Sequence, residues 1–273
     1  MEGFWAVYSF AIGACTGSFL NVCILRWPEG GSVVRPRSRC PKCGRKISMI
    51  ENLPIVSWIA LRGKCWTCGS RISLQYPFVE LVVGCLWLAC YLHYGLSFTA
   101  LRVAVFLTTL LGIAITDAKY YLIPDGFTVF GVVWVILSAI IVLFYPSESP
   151  FAGAYGALIG ACTGAGAIAI SGWLGELALK KEAMGFGDVT LMAVIGAAVG
   201  PTRAILTIFL GALIATVVFL GVVYPFIWVR SRRRGVAFEP PQIPFGVFLA
   251  PAAVIALLWG NSMVSVYTNS MGL

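Results

Sequence analysis

Along the chain, long apolar stretches alternate with short polar breaks. The apolar stretches recur at 4–25, 77–96, 99–117, 126–145, 151–178, 189–200, 204–229 and 244–262. A spanning helix needs roughly 20 mainly apolar residues, so the pattern predicts an all-α polytopic membrane protein of about eight transmembrane helices. The stretch 189–200 is short, so it either lies shallow or extends past its ends. Turn and charge signals fill the breaks, among them Tyr145-Pro146-Ser147, Gly200-Pro201-Thr202 and the basic cluster from Arg230 to Arg234. Gly153, Gly156, Gly160, Gly164 and Gly166 lie among alanines in 152–170, a composition that lets helix backbones approach closely. The first stretch has span length and no basic leader, so it reads as a helix that stays rather than a cleavable signal. Three parts follow: a first span over 1–25, a polar unit over 26–76, and a helical bundle over 77–273.

Composition removes the water-soluble alternative. Of the 273 residues 59% are hydrophobic and 11% charged, against about 25% charged in soluble domains. A net charge of +8 raises nucleic-acid binding, but its distribution answers otherwise. With 26–76 placed in the cytosol and sides alternating from there, only Arg102 and Arg203 of the 19 basic residues fall on the far side. Such asymmetry is a topology signal and a surface for anionic lipid headgroups, and no nucleic-acid partner is expected. Both termini are then expected on the periplasmic side.

The polar unit carries an internal repeat. Cys40-Pro41-Lys42-Cys43-Gly44-Arg45-Lys46-Ile47-Ser48 matches Cys65-Trp66-Thr67-Cys68-Gly69-Ser70-Arg71-Ile72-Ser73. Two residues between thiolates let a tight turn aim both sulfurs at one ion, and two such turns complete a tetrahedral site. Disulfides and a redox pair are the alternatives, but a cytosolic loop is reducing and the doubled motif favours metal. Structural zinc on Cys40, Cys43, Cys65 and Cys68 is therefore expected, with iron the second choice. Cys15, Cys23, Cys85, Cys90 and Cys162 lie in or beside apolar stretches and read as packing residues.

The chain has three aspartates: Asp117, Asp125 and Asp188. Ionisable groups at membrane depth are costly, which makes them candidates for function. Asp117 closes the third span and Asp188 opens the sixth, so span parity places both at cytosolic ends and at similar depth. Two carboxylates that share a proton can activate a water and polarise a peptide carbonyl. Gly185 and Gly187 are expected to give the active-site loop backbone freedom. The duller readings are that Asp188 and Asp125 cap the helices they precede, and that Asp117 pairs with Lys119. A transporter coupling ions through the aspartates is the non-enzymatic alternative. His93, the sole histidine, falls at the outer end of a span, which disfavours histidine-based catalysis.

The residues also carry a family resemblance. Gly17-Ser18-Phe19-Leu20-Asn21, the two cysteine motifs, Asn52-Leu53-Pro54, Tyr76-Pro77-Phe78-Val79-Glu80, Ile123-Pro124-Asp125, Gly185-Phe186-Gly187-Asp188 and Ile243-Pro244-Phe245-Gly246 follow one another in order. In this the chain resembles the bacterial type IV prepilin peptidases, aspartic membrane proteases of the GxGD type. The resemblance implies an inner-membrane endopeptidase that cuts the short basic leader from type IV prepilins and pseudopilins after a glycine. It implies N-methylation of the new terminus from S-adenosylmethionine, and it maps the catalytic pair onto Asp117 and Asp188. Asp125 is a recurrent family position of unassigned role, and Val247 stands where many members have proline. A basic cytosolic surface sits awkwardly with a basic leader, for which Glu51, Glu80 and Glu239 are the acidic candidates. Residues for the methyl donor are not assigned.

Overall fold

The computed structural model describes residues 1–144, 150–180, 184–234 and 243–271. The turn at Tyr145-Pro146-Ser147, Lys181 and Glu239 lie outside the described residues. Among those described, the regular structure is helical without strands, as the apolar pattern predicts. The helices are α1 (Glu2–Arg26), α2 (Val56–Ala60), α3 (Gln75–Tyr94), α4 (Phe98–Tyr120), α5 (Asp125–Phe144), α6 (Ala154–Leu179), α7 (Phe186–Val199), α8 (Pro201–Val218), α9 (Tyr224–Arg234) and α10 (Gly246–Met271). A π-helical turn over Phe219–Val223 joins α8 to α9.

Among the described residues, seven helices are long and apolar enough to cross a membrane, with α8 and α9 counted as one run over Pro201–Arg230. The eighth apolar element, α7, has 14 residues, about 21 Å at 1.5 Å per residue and short of a bilayer core of about 30 Å. It begins before the predicted 189 and ends where Gly200, at φ 85, breaks the helix and Pro201 starts the next. Pro fits a first helical turn because its missing N–H has no intrahelical partner there.

Two compact units make up the chain, Met1–Gly112 and Ile113–Leu273, with the division inside α4. In the first, α1 lies tight against α3. A methyl group on Gly13 would stand 2.7 Å from Trp87 Cβ, one on Gly17 2.9 Å from Glu80 Cα, and one on Gly84 2.8 Å from the Phe10 ring. Gly13 and Gly17 form a small-xxx-small pair. Asn21, buried, donates across the interface to the Tyr76 carbonyl at 3.1 Å.

In the second unit α7 is the inner helix, with Leu191, Met192 and all of Val194–Val199 buried. The glycine-rich α6 packs on it so closely that a methyl group on Gly160 would overlap the Gly196 carbonyl, and one on Gly164 the Met192 carbonyl. Arg203, a basic residue that parity put on the far side, points inward. Its Nε donates to Val199 O and its Nη1 to Pro150 O, both at 2.6 Å. A buried cation thus meets the carbonyl end of α7, where the helix dipole favours it.

Candidate active site and metal centre

The cysteine repeat folds as two copies of one turn. Cys40 N–H donates to Arg45 O at 2.9 Å and Gly44 N–H to Cys40 O at 2.9 Å; in the second copy Cys65 N–H donates to Ser70 O at 2.8 Å and Gly69 N–H to Cys65 O at 3.0 Å. Gly44 and Gly69 take φ 70 and 64, where a side chain would be strained. Isolated antiparallel bridges Arg39–Lys46 and Lys64–Arg71 close the two loops. The four Sγ atoms all lie within 4.8 Å of one another, and Cys40 and Cys68 Sγ are 3.8 Å apart. A tetrahedron of sulfurs each about 2.3 Å from zinc has edges of about 3.8 Å, so the four residues fit a closed zinc site. The Cys43 backbone N–H, then the Ser70 hydroxyl, bring the Cys40 thiol down to about 6. Ser70 likewise lowers Cys68. Both effects favour the thiolate at those two positions, whereas Cys43 goes the other way, up to about 11.

Two acids proposed to answer a basic leader have other partners. Glu51 bonds Arg45 Nη2 at 2.6 Å and accepts Ser48 N–H at 3.0 Å, and this pairing holds its carboxyl at about 2. Glu80 is buried and accepts the Ile55 N–H at 2.7 Å.

The aspartates occupy helix ends in the second unit. Asp117 sits one turn before the end of α4 and is 6% exposed. Its Oδ2 accepts the Val247 N–H at 3.1 Å. That amide belongs to the first turn of α10, and a carboxylate at a helix N-terminus meets unpaired N–H groups and the positive end of the dipole. Gly246 is required there, since a methyl group on it would stand 2.8 Å from Asp117 Oδ2. Asp188 lies in the first turn of α7, half-buried, with its N–H on Gly185 O at 3.1 Å. Ile123 lies against both Gly187, next to Asp188, and Gly246, which abuts Asp117 Oδ2, so one side chain spans the two aspartates. Asp117 and Asp188 are thus brought into one neighbourhood, while Asp125 is exposed in the first turn of α5.

The glycines act differently from the expected backbone freedom. Gly185 has φ −76, which any residue adopts. A methyl group on Gly187 would come 3.0 Å from Ile123 Cβ, so Gly187 serves close packing. Ile123 in turn comes within 3.1 Å of a methyl group on Gly246. Sequence reasoning quoted Gly246 and Val247 as family positions without giving them a place at the site. Their only local signal is a Pro-Phe-Gly helix start.

Comparison with known proteins places these features in context. The Bacterial Peptidase A24 N-terminal domain matches residues 11–94, and the Type IV leader peptidase family matches residues 104–220. Relatives from several bacteria carry the name prepilin leader peptidase/N-methyltransferase. The Stutzerimonas stutzeri protein is 35% identical over 95% of this chain and 92% of its own length. That of Bacillus subtilis is 33% identical over 94% and 96%. The Myxococcus xanthus protein is 39% identical over 71% of this chain, which spans 56% of that relative's length. No solved structure matches.

Proposed function

The chain belongs to the prepilin leader peptidase/N-methyltransferase family, and we propose on that premise that it cleaves prepilin and pseudopilin leaders with Asp117 and Asp188. Family membership decides for an enzyme over the ion-coupled transporter that the aspartates alone left open. The observation that carries the reading is the placement of both carboxylates at helix ends within one unit, with Asp117 buried and gripped by the Val247 amide.

One carboxylate, ionised, takes a proton from water as it attacks the carbonyl of the glycine that ends the leader. The other, protonated, polarises that carbonyl and then supplies a proton to the leaving amine. Like charges this close titrate as a pair, so the proton belongs to both. The Val247 and Gly246 amides hold Asp117 at the start of α10. The site stands at the cytosolic ends of α4 and α7 by span parity, in a multi-pass inner-membrane protein. The basic leader then stays in the cytosol while the apolar pilin segment lies in the bilayer.

Cys40, Cys43, Cys65 and Cys68 hold a structural zinc, which supplies folding energy to 26–76 and leaves no coordination position open for chemistry. Methylation of the new terminus uses S-adenosylmethionine. The test is single replacement, Asp117→Asn and Asp188→Asn, in purified protein with a prepilin substrate. Loss of cleavage in both, with helicity and metal content retained, is expected; full cleavage by either variant sinks the dyad.

A further inference from the structure

The chain leaves α4 by a tight reversal. Tyr121 takes φ 54, a left-handed conformation uncommon for a bulky residue. Its N–H donates back to the Asp117 carbonyl at 2.9 Å, so the turn is anchored on an aspartate of the pair. Further on, Pro124 holds the residue before it in an extended conformation, which suits a β-branched side chain. The Pro124 carbonyl accepts the Phe127 N–H at 3.0 Å in the first turn of α5. The backbone at Ile123 is therefore fixed from both sides. Tyr121 and Leu122 are 56% and 47% exposed, while Ile123 is 7% exposed. This short connection turns Ile123 inward, against the neighbours of both aspartates.

The two ends of the Ile123 side chain meet different partners. A methyl group on Gly187 would stand 3.0 Å from Ile123 Cβ and 3.5 Å from Cγ1. One on Gly246 would stand 3.1 Å from Ile123 Cδ1. The Cβ–Cγ1–Cδ1 arm therefore has the start of α7 at its root and the start of α10 at its tip. Both starts are stiff. The Gly187 carbonyl accepts the Thr190 hydroxyl at 2.9 Å, and the Asp188 N–H donates to Gly185 O at 3.1 Å. At the other end, the Val247 N–H donates to Asp117 Oδ2 at 3.1 Å, against which Gly246 is packed. A chain of close contacts thus runs from Asp188 through Gly187, Ile123 and Gly246 to Asp117. Packed interiors compress little, so the length of the isoleucine arm is transmitted to both carboxylates.

We infer that Ile123 is a positioning residue, the spacer that sets how far apart Asp117 and Asp188 stand. This rests on the dyad reading above. Two carboxylates that share one water must both reach it, and an error of about 1 Å in such a site costs on the order of a hundredfold in rate. Ile123 itself has no group that could take or give a proton. It acts through the two glycines, each of which leaves room for one end of its side chain. A shorter residue lets the starts of α7 and α10 close on the vacated space, because a cavity in a packed core partly collapses. A bulkier one drives them apart. Cleavage needs one carboxyl protonated and one ionised, so it spans the pH interval between the pair's two macroscopic titrations. Like charges drawn closer widen that interval, and like charges moved apart narrow it.

The experiment measures prepilin cleavage against pH in the full chain in detergent micelles, for the parent, Ile123→Ala and Ile123→Phe. Both variants are expected to lose roughly tenfold to a hundredfold in kcat with KM for the prepilin unchanged. The limbs of the pH profile should move in opposite senses, further apart in Ile123→Ala and closer together in Ile123→Phe. Ile123→Val removes the Cδ1 carbon alone and serves if the phenylalanine variant does not fold, with a smaller loss and limbs between those of the parent and Ile123→Ala. Ile123→Leu, which keeps an arm of the same reach, should restore most of the rate. Lower rates with limbs at the parental pH, or limbs that move the same way in both variants, make Ile123 ordinary packing and overturn the spacer. Parental rates in Ile123→Ala overturn it as well. Full cleavage by Asp117→Asn or Asp188→Asn removes the dyad and the spacer together, whereas inactive aspartate variants leave the spacer to stand or fall on the Ile123 profiles.

Discussion

The cysteine centre and the aspartate centre are built on opposite plans. The four cysteines come from two copies of one nine-residue motif, and the ligands furthest apart in the chain, Cys40 and Cys68, are 28 positions apart. Each half makes the same backbone hydrogen bonds within itself. The aspartates stand 71 positions apart (188 − 117), and the amide that holds Asp117 lies 130 positions on, at Val247. None of the helices α4, α7 and α10 can form that site alone. A local site depends on turn chemistry and on its ion. A distributed one depends on helix packing, where one glycine methyl group out of place is felt.

The comparison can be broken at four points. The largest effect is expected from the metal centre. Structural zinc contributes on the order of 10 kcal/mol to small cysteine domains, so Cys40→Ser or chelation should abolish bound metal and expose residues 26–76 to protease. Elemental analysis that finds neither zinc nor iron in the parent removes the metal centre. Next come Asp117→Asn and Asp188→Asn, expected to lower prepilin cleavage by about 10²–10⁴ or more, the range of general acid–base catalysis. Metal content should stay unchanged, which separates the two centres.

Gly246→Ala should follow, with a cleavage loss of roughly tenfold, because the added methyl meets Asp117 Oδ2 at 2.8 Å and shifts the proposed catalytic group. A parental rate in that variant would mean that α10 does not position Asp117. The smallest effect belongs to Glu51→Gln. Arg45 first, then the Ser48 amide, lower the Glu51 carboxyl from 4.5 to about 2. A depressed carboxyl stabilises the fold above its unfolded value, and that contribution disappears as pH falls through the folded one. Parent and variant should therefore differ slightly in resistance of the cysteine unit to unfolding at neutral pH. The gap should close between pH 4.5 and 2, as followed by tryptophan fluorescence of Trp58 and Trp66. A gap unchanged across that window removes the ion pair from the unit's stability.

Legibility in the sequence followed the same division. Helix positions were readable because composition over about 20 residues decides membrane insertion. The short α7 was anticipated as an exception, and the structure shows why it is tolerated, since it is buried by other helices rather than by lipid. The glycine run of 152–170 announced close packing without naming its partner, which is α7. Gly13 and Gly17, four residues apart on α1, carried the same signal and went unread. Gly185 and Gly187 were noticed for flexibility, yet Gly187 works by lying flat on Ile123. That difference lies in a neighbour 64 positions away and has no local trace.

By itself, the sequence determined the helical membrane class, picked out the four cysteines that the fold gathers into one cluster, and singled out Asp117 and Asp188 as the rare acids at helix ends. Each depends on composition, on a short repeat, or on a rare charged residue in apolar surroundings. Only the tertiary structure decided that α10 begins against Asp117, that Gly246 must lack a side chain there, and that Glu51 and Glu80 are engaged within the fold. Those contacts join residues far apart in the chain. Their energy comes from packing and hydrogen bonds that exist only once the helices have assembled, so no window of sequence contains them.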